Sequence, residues 1–562
     1  MNFTEVFNLG TVVVLDKKPG AVLFSSIEYL QPLRVALLFA VPLLYLAAAA
    51  LVSWRAARVC AALALGLAAV SMALLAMGGV GGGPVVSSGA DLFALGQAGA
   101  LTLNVRVDAV GAAVLLVVTF IGWVITRYSQ TYMDGEAGVG RYARWLMATL
   151  AAVSTVIITN NLAMLALAWL ATSLSLHQLL TFFSNRPAAL IAAHKKFLAS
   201  RLGDVCLFGG VALIGISLGT LEIDQVIAKA QALDEFPALL TAAIYLIVMS
   251  ALLKCAQLPV HGWLIQVMEA PTPVSALLHA GIVNLGGFLL IRLSPLVSEV
   301  GGAQTLLVVV GSITAAVAAL VMMTRISVKV MLAWSTCAQM GFMLMQCGMQ
   351  AYDLALLHLV AHSLYKAHAF LAAGGAVEQA RLKAMSQQQP PVGWGWSVAG
   401  AGIGLVAVAV AGWVWGAQVD KFPALWALAA IVSLALAPLL TAQALRVTSS
   451  PPIAVIVVLA SAFGVALTYF GLHDLFSLWV DVPTVASSVH TFNIAWVLVC
   501  FGLLFVLQSL IRARPHGHVA SQLYPWFYAG LYLDEWFTRL TFRIWPARLV
   551  APQSNLPEGA NK

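Results

Sequence analysis

Read by its apolar and polar positions, the chain divides into about fifteen apolar runs long enough to cross a membrane, joined by short polar connections. The runs lie near 34–54, 57–77, 108–126, 145–160, 162–183, 203–219, 238–268, 272–292, 304–323, 329–347, 353–374, 396–417, 425–445, 452–470 and 492–511. They are mostly Leu, Ala, Val and Gly, without the every-second-residue alternation of a barrel strand. In lipid each backbone polar group must be satisfied within its own segment, so the runs are helices. The expected fold class is all-α, a polytopic membrane protein with about 14–15 transmembrane helices. The longest polar stretches fall around 78–107 and 375–395, too short for a soluble domain. After 511 the pattern changes: LYPWFYAGLYLDEWFTRLTFRIWP mixes aromatics with Asp534, Glu535, Arg539 and Arg543. That stretch reads as an amphipathic helix on the cytoplasmic membrane face or as a docking surface for another subunit.

Composition agrees with lipid burial. Of 562 residues 61% are hydrophobic and 9% charged, and mean hydropathy is +0.93. Soluble domains carry about 25% charged residues, so a large soluble globule is excluded. The six cysteines (Cys60, Cys206, Cys255, Cys337, Cys347, Cys500) are scattered through apolar runs without paired spacing. They read as small buried hydrophobes rather than as a disulfide or metal framework. The first twenty residues lack a signal-peptide design, so no cleavage is expected.

The formal charge of +7 does not call for nucleic acid, because its distribution explains it. Odd-numbered connections hold Arg55, Arg58, Arg127, Arg141, Arg144, Arg186, Lys195, Lys196, Arg201, Arg325, Lys329, Arg381, Lys383, Arg446, Arg512 and Arg514. Even-numbered ones hold little beyond Arg106, Lys229, Arg292 and Lys421. The positive-inside rule then places the odd connections and the C-terminus in the cytoplasm and the N-terminus outside.

Ionisable residues within apolar runs are costly and usually functional, and here they concentrate in the middle third of the chain. In LLKCAQLPVHGWL, Lys254 stands five residues before Pro259, which breaks or kinks a helix. Transporters place ion sites at such discontinuities, and a desolvated lysine can release and regain a proton. The plainer reading is a lysine snorkelling to the interface. In PTPVSALLHAGIVNLGGFLLIR, Pro271 and Pro273 open a helix that carries His279, either a relay residue or a satisfied core histidine. In LLHLVAHSLYKAHAFLAAG, His358, His362 and Lys366 recur every four residues and share one helix face. Histidine passes protons near neutral pH. HxxxH also suits a metal, but no third ligand stands out and Lys366 would repel a cation. Lys329 opens another helix, as a pathway group or as a cytoplasmic flank. Asp420 and Lys421 are the only charges near the break between the twelfth and thirteenth runs, where a loop pair is the default.

These residues, in this order, carry a family resemblance. RYSQTYMDGEAGVGRYARWL, NNLAMLALAWLATSLSLHQLL, AAHKKFLASRLGD, LLKCAQLPVHGWLIQVMEAPTPVSALLHA, VKVMLAWSTCAQMGFM and LHLVAHSLYKAHAFLAAG resemble the large antiporter-like subunits of respiratory complex I and of Mrp cation/proton antiporters. The match spans about 105–375, and the flanks agree only in helix pattern. The resemblance implies two inverted five-helix repeats, each with a broken helix. It divides the chain into N-terminal helices and loop (1–107), a first repeat (108–268), a second repeat with its polar axis (272–445), C-terminal helices (446–511) and the amphipathic tail (512–562). It makes Lys254 the central lysine of the first half-channel, sets Lys195 and Asp204 in the AxxKxFxxxRxGD-like stretch, and aligns His279, His358, His362, Lys329 and Lys366 with the polar axis between the halves. Lys421 becomes the candidate second-half lysine.

Two departures stand out. Complex I subunits carry a glutamate after the tryptophan of the fifth helix, whereas Leu170 follows Trp169 here. His177, seven residues on and near the same face, is the candidate substitute. The long lateral C-terminal helix of the complex I subunit is also missing. With these departures and its YLDEWF tail, the chain resembles most the membrane subunit of the DAB inorganic-carbon accumulation complex. That resemblance implies a multi-pass protein of the bacterial inner membrane, moving protons or Na+ in the lipid bilayer. It implies a large cytoplasmic, carbonic-anhydrase-like partner that holds zinc and hydrates CO2 to bicarbonate. The chain itself is expected to be no enzyme and to hold no metal or cofactor. The other readings are a proton-pumping subunit of a complex I-like quinone oxidoreductase and a Mrp-type antiporter subunit.

Overall fold

A computed structural model describes residues 12–14, 31–77, 85–87, 90–183, 186–376, 378, 393–417, 423–446, 451–479 and 491–545. Asp420 and Lys421, the expected second-half pair, lie outside the described residues.

Every apolar run is helical. In chain order the helices are α1 (Gln31–Leu51), α2 (Trp54–Met77), α3 (Ala109–Tyr132), α4 (Val139–Ile158), α5 (Leu162–Leu180), α6 (Pro187–Leu218), α7 (Ile223–Gln231) and α8 (Ala238–Lys254). They continue as α9 (Gly262–Gln266), α10 (Thr272–Ala280), α11 (Leu285–Arg292), α12 (Ser294–Val297), α13 (Gly301–Met322), α14 (Val328–Gly348) and α15 (Tyr352–Leu371). The rest are α16 (Trp394–Trp415), α17 (Pro423–Arg446), α18 (Pro451–Ser477), α19 (Thr491–Ala513), α20 (His518–Tyr528) and α21 (Leu533–Ile544). Among the described residues twelve spans are long and apolar enough to cross a membrane, with α10 and α11 counting as one. α4, α8 and α15 fill the remaining expected runs but are shorter or more polar.

Burial separates inner from lipid-facing helices. Thr272–Arg292 is 94% buried over its apolar window, whereas Thr491–Ala513 is only 17% buried. α10 and α11, which carry His279, are therefore enclosed by other helices, whereas α15 keeps an exposed side at Leu364 and Tyr365. Glycines permit the closest approaches. A Cβ on Gly311 of α13 would sit 2.5 Å from the carbonyl oxygen of Gly341 on α14, so the two helices meet backbone to backbone.

The structure departs from the sequence reading, or refines it, in four places. α6 starts at Pro187, not near 203, so Lys195, Lys196 and Arg201 are helix residues rather than loop charges. An apolar-run criterion stops at charges, but these are compensated inside the fold. The run 238–268 breaks, as Pro259 predicts: α8 ends on Lys254 itself, residues 255–261 are non-helical, and α9 follows. The polar stretch before α3 forms short antiparallel strands, with β3 (Ala90–Ala94) on β4 (Ala100–Leu103), and β2 (Val85–Ser87) between β1 (Val12–Val14) and β5 (Arg106–Val107). The Thr272–Arg292 span is also interrupted, by a 3-10 turn at Ile282–Asn284.

Candidate functional site

The break after α8 is built from its sequence. Ala256 takes a left-handed φ of 52°, and Leu258–Pro259 is cis. The freed backbone groups are tied down, as they must be away from water. Gln257 N–H donates to Leu252 O at 3.2 Å, and Leu258 N–H donates to Thr314 Oγ1 on α13 at 3.2 Å. Pro271 caps α10 and Pro273 lies in its first turn, the positions where proline fits a helix start.

Lys254, at the end of α8, is buried with its ammonium paired to Asp204 of α6. Asp204 also pairs with Arg201 at 2.7 Å. The Lys254 ammonium lies 4.5 Å from the Trp169 ring centroid, within cation–π range. Gly203 makes room: a Cβ there would come within 3.1 Å of Lys254 Cγ. Lys196 is buried and donates to the carbonyl and hydroxyl oxygens of Ser173, both at 2.8 Å. Arg201 donates to the same hydroxyl at 3.0 Å. One carboxylate thus pairs with two basic side chains, and a third, Lys196, is held beside them by Ser173. Like charges so placed in a low-dielectric interior interact by several kcal/mol, so the charge state of each depends on the others.

The missing glutamate is thereby accounted for. Leu170 does occupy its place on α5, but the counter-charge for Lys254 arrives from α6 as Asp204. The sequence around Leu170 does not mark this link, because Asp204 lies on another helix. His177 packs against Phe197 with ring centroids 5.3 Å apart.

The second group lies along α10, α14 and α15. His279 is fully buried, stacks on Phe370 at 4.5 Å, and neither ring nitrogen has a protein partner. The same is true of both nitrogens of His362. His358 donates Nδ1–H to Gln346 Oε1 at 3.0 Å, and its ring centroid lies 6.0 Å from that of His362. Lys366 is fully buried and donates to Leu332 O at 3.1 Å. His279, His358 and Lys366 all act electrostatically on His362, so the four form one coupled set. Asn284, in the 3-10 turn, donates to Ser363 Oγ at 2.7 Å and ties this set to the interrupted helix. Lys329 donates to Thr272 Oγ1 at 2.7 Å, at the start of α10. Among the described residues no group of three or more His, Cys, Asp or Glu is placed to hold a metal ion.

Lys195 points elsewhere from its neighbour Lys196, as adjacent residues on a helix do. It pairs at 2.8 Å with Asp534 of α21. Sequence reading passed over Lys196, Arg201, Ser173 and His261. His261 had a visible signal: it is the only basic side chain in the non-helical segment after Lys254.

Comparison with known proteins agrees with this geometry. Residues 159–404 match the family described as NADH:quinone oxidoreductase/Mrp antiporter, transmembrane region, and residues 96–143 match the N-terminus of complex I chain 5. A many-helix fold with a broken helix ending on a buried, ion-paired lysine is thus that of an antiporter-like, ion-translocating membrane subunit. The chain is 43% identical over 452 residues to the "Probable inorganic carbon transporter subunit DabB" of Hydrogenovibrio crunogenus, covering 79% of this chain and 84% of that protein. It is 38% identical to subunit DabB2 of Halothiobacillus neapolitanus, covering 80% and 82%. The chain belongs to the DabB family of inorganic carbon transporter subunits, within the complex I/Mrp antiporter-like superfamily. Its fold is similar to a chain of the Mrp complex from Dietzia, with TM-score 0.54 and 23% identity, over 93% of this chain and 57% of that one.

Proposed function

We propose that the chain conducts protons, or Na+ in their place, across the bacterial inner membrane, and that this flow drives inorganic carbon accumulation. The observation that carries the reading is Lys254, buried at a helix break and paired with Asp204. A lysine so placed shifts between holding and releasing its proton as charge nearby changes, and Asp204, Arg201 and Lys196 supply that neighbouring charge. His279, His358, His362, Lys366 and Lys329 form the onward path, each histidine able to take a proton on one nitrogen and give it from the other. Buried polar atoms without protein partners are normally satisfied by water, so the free nitrogens of His279 and His362 favour a hydrated path.

The likeness to DabB subunits supports coupling to inorganic carbon. In this reading the C-terminus faces the cytoplasm, where a large zinc-holding, carbonic-anhydrase-like partner hydrates CO2 to bicarbonate while the membrane chain supplies the driving ion flow. His177, Lys195 and Lys421 stand as secondary pathway candidates.

Lys254→Ala tests the ion path. Asp204 keeps its pair with Arg201 in that variant, so the complex is expected to assemble normally while transport is abolished. Lost transport explained wholly by lost assembly refutes the relay role. Gentle purification of the tagged chain with metal analysis tests the coupling. A large zinc-bearing companion is expected. Flavin and iron–sulfur subunits, or a set of small Mrp-like membrane proteins, would overturn the carbon reading.

A further inference from the structure

The C-terminal amphipathic helix is seated against the broken helix. Leu531 and Tyr532 both take left-handed φ angles (56° and 59°), an unfavourable choice for such side chains, and this turn redirects the chain into α21. Asp534 stands in the first turn of α21. Its two oxygens lie 2.8 and 3.0 Å from the Lys195 ammonium, and Gln266 donates to one of them at 2.7 Å. Gly262 admits it, because any Cβ at that position would overlap the Asp534 carboxylate. The far end of α21 is held by Trp545, stacked on His194 at 4.1 Å. A tail that only needed anchoring would not require this carboxylate. The Lys195 side chain is 0% exposed, whereas Asp534 is 32% exposed, so the carboxylate is open on one side and held by a buried cation on the other.

His261 immediately precedes Gly262, the residue that meets the Asp534 carboxylate, in the break between α8 and α9. It donates Nδ1–H to Pro259 O at 3.3 Å, while its buried Nε2 has no protein partner. An imidazole with Nδ1–H engaged presents Nε2 as a proton acceptor.

We infer that Asp534, carried by the tail helix, is the solvent-facing proton acceptor at the inner mouth of the pathway and passes the proton inward to His261 Nε2. The carboxylate takes a proton from the aqueous side. It then releases that proton to His261 and returns to the anion held by Lys195 and Gln266, with Lys195 remaining a cation throughout. The inference rests on the proton reading above, and it makes the tail a working part of the channel.

The test uses the complete complex in liposomes, with proton flux read after a pH jump. Asp534→Asn lowers flux at least about tenfold, the scale lost with a positioned proton-transfer group. Asp534→Glu keeps most of it, and millimolar formate restores flux to Asp534→Asn by replacing the missing carboxylic acid. Wild-type flux in Asp534→Asn, beside a silent Lys254→Ala control, overturns the inference and leaves the pathway reading intact. So does a loss that formate does not rescue and that accompanies release of the tail to protease, because Asp534 is then a clamp. Unchanged flux in Lys254→Ala overturns the pathway reading itself.

Discussion

The surroundings of Lys254 and those of His279 and His362 are both enclosed by helices, yet they satisfy their polar atoms in opposite ways. Around Lys254 nearly every charge has a protein partner: Asp204 for Lys254 and Arg201, and Ser173 for Lys196. Along the axis, both nitrogens of His279 and His362 have none. Leaving a buried polar group unsatisfied costs about 1–3 kcal/mol, so a fold keeps such groups only where water or a moving ion completes them. In the function proposed above, the first region holds charge until a neighbouring charge changes and the second lets it pass. A fixed charge cluster is a switch, because changing one member changes the others. In that proposal the imidazoles without protein partners serve as the conduit.

Substitutions can break that contrast. Asp204→Ala has the largest expected effect. It strands two or more buried cations and should cost about 3–5 kcal/mol, seen as lost monodisperse protein on size exclusion as well as lost flux. A stable, transporting Asp204→Ala protein would falsify the claim that this region holds charge. His362→Ala should do the reverse, cutting flux on the order of a hundredfold while thermal stability in detergent stays near that of the parent, since no protein hydrogen bond is lost. Gly203→Val places carbon against Lys254 Cγ, and overpacking of this kind costs about 1–3 kcal/mol. Its flux should fall only partially, and an unchanged melting temperature would show that α6 and α8 are not closely packed there. His177→Ala should lower flux only a few-fold, as for a secondary pathway group, because this half-buried ring packs on Phe197 and forms no ion pair with the Lys254 cluster. A large loss would restore His177 as a counter-group.

The smallest expected effect lies outside both regions, at Glu222, between α6 and α7. It accepts hydrogen bonds from Thr102 and Asn104 at 2.7 Å each and from Asn160 at 3.2 Å. Burial nonetheless pushes its carboxyl pKa above the ordinary value, and the nearby Asp224 adds to the rise. The folded protein then binds this proton more tightly than the unfolded one. Stability from this group is therefore present at low pH and lost as pH rises from the ordinary carboxyl value through the raised one. Glu222→Gln should flatten that part of a thermal-shift profile, and an identical profile would count against the buried carboxyl.

Much of this was legible in the sequence, because lipid imposes strong rules. Every apolar run is a helix, and Pro259 does follow a break at Lys254. The shared face of His358, His362 and Lys366 follows from helical period alone. What sequence could not give was pairing between elements. Asp204 stands fifty residues before its partner Lys254, and Asp534 stands 339 residues after Lys195. Nothing local marks either link. Lys195 and Lys196 show the same limit: adjacent in sequence, they point to different partners, and only the neighbouring helices decide which.

The length of α6 has a consequence for bilayer thickness. Its 32 residues make a rod of about 48 Å. A hydrocarbon core is about 30 Å, and fitting that rod inside it would take a tilt of roughly 50°, beyond the 40° or so that spanning helices reach. Part of α6 therefore stands clear of the lipid, and α21 leans on its early turns through Lys195 and His194. In the proposed pathway the inner opening lies at that end of α6, beside α21. Thinner or thicker membranes should then shift the height at which lipid meets the shaft while leaving the geometry of that opening unchanged.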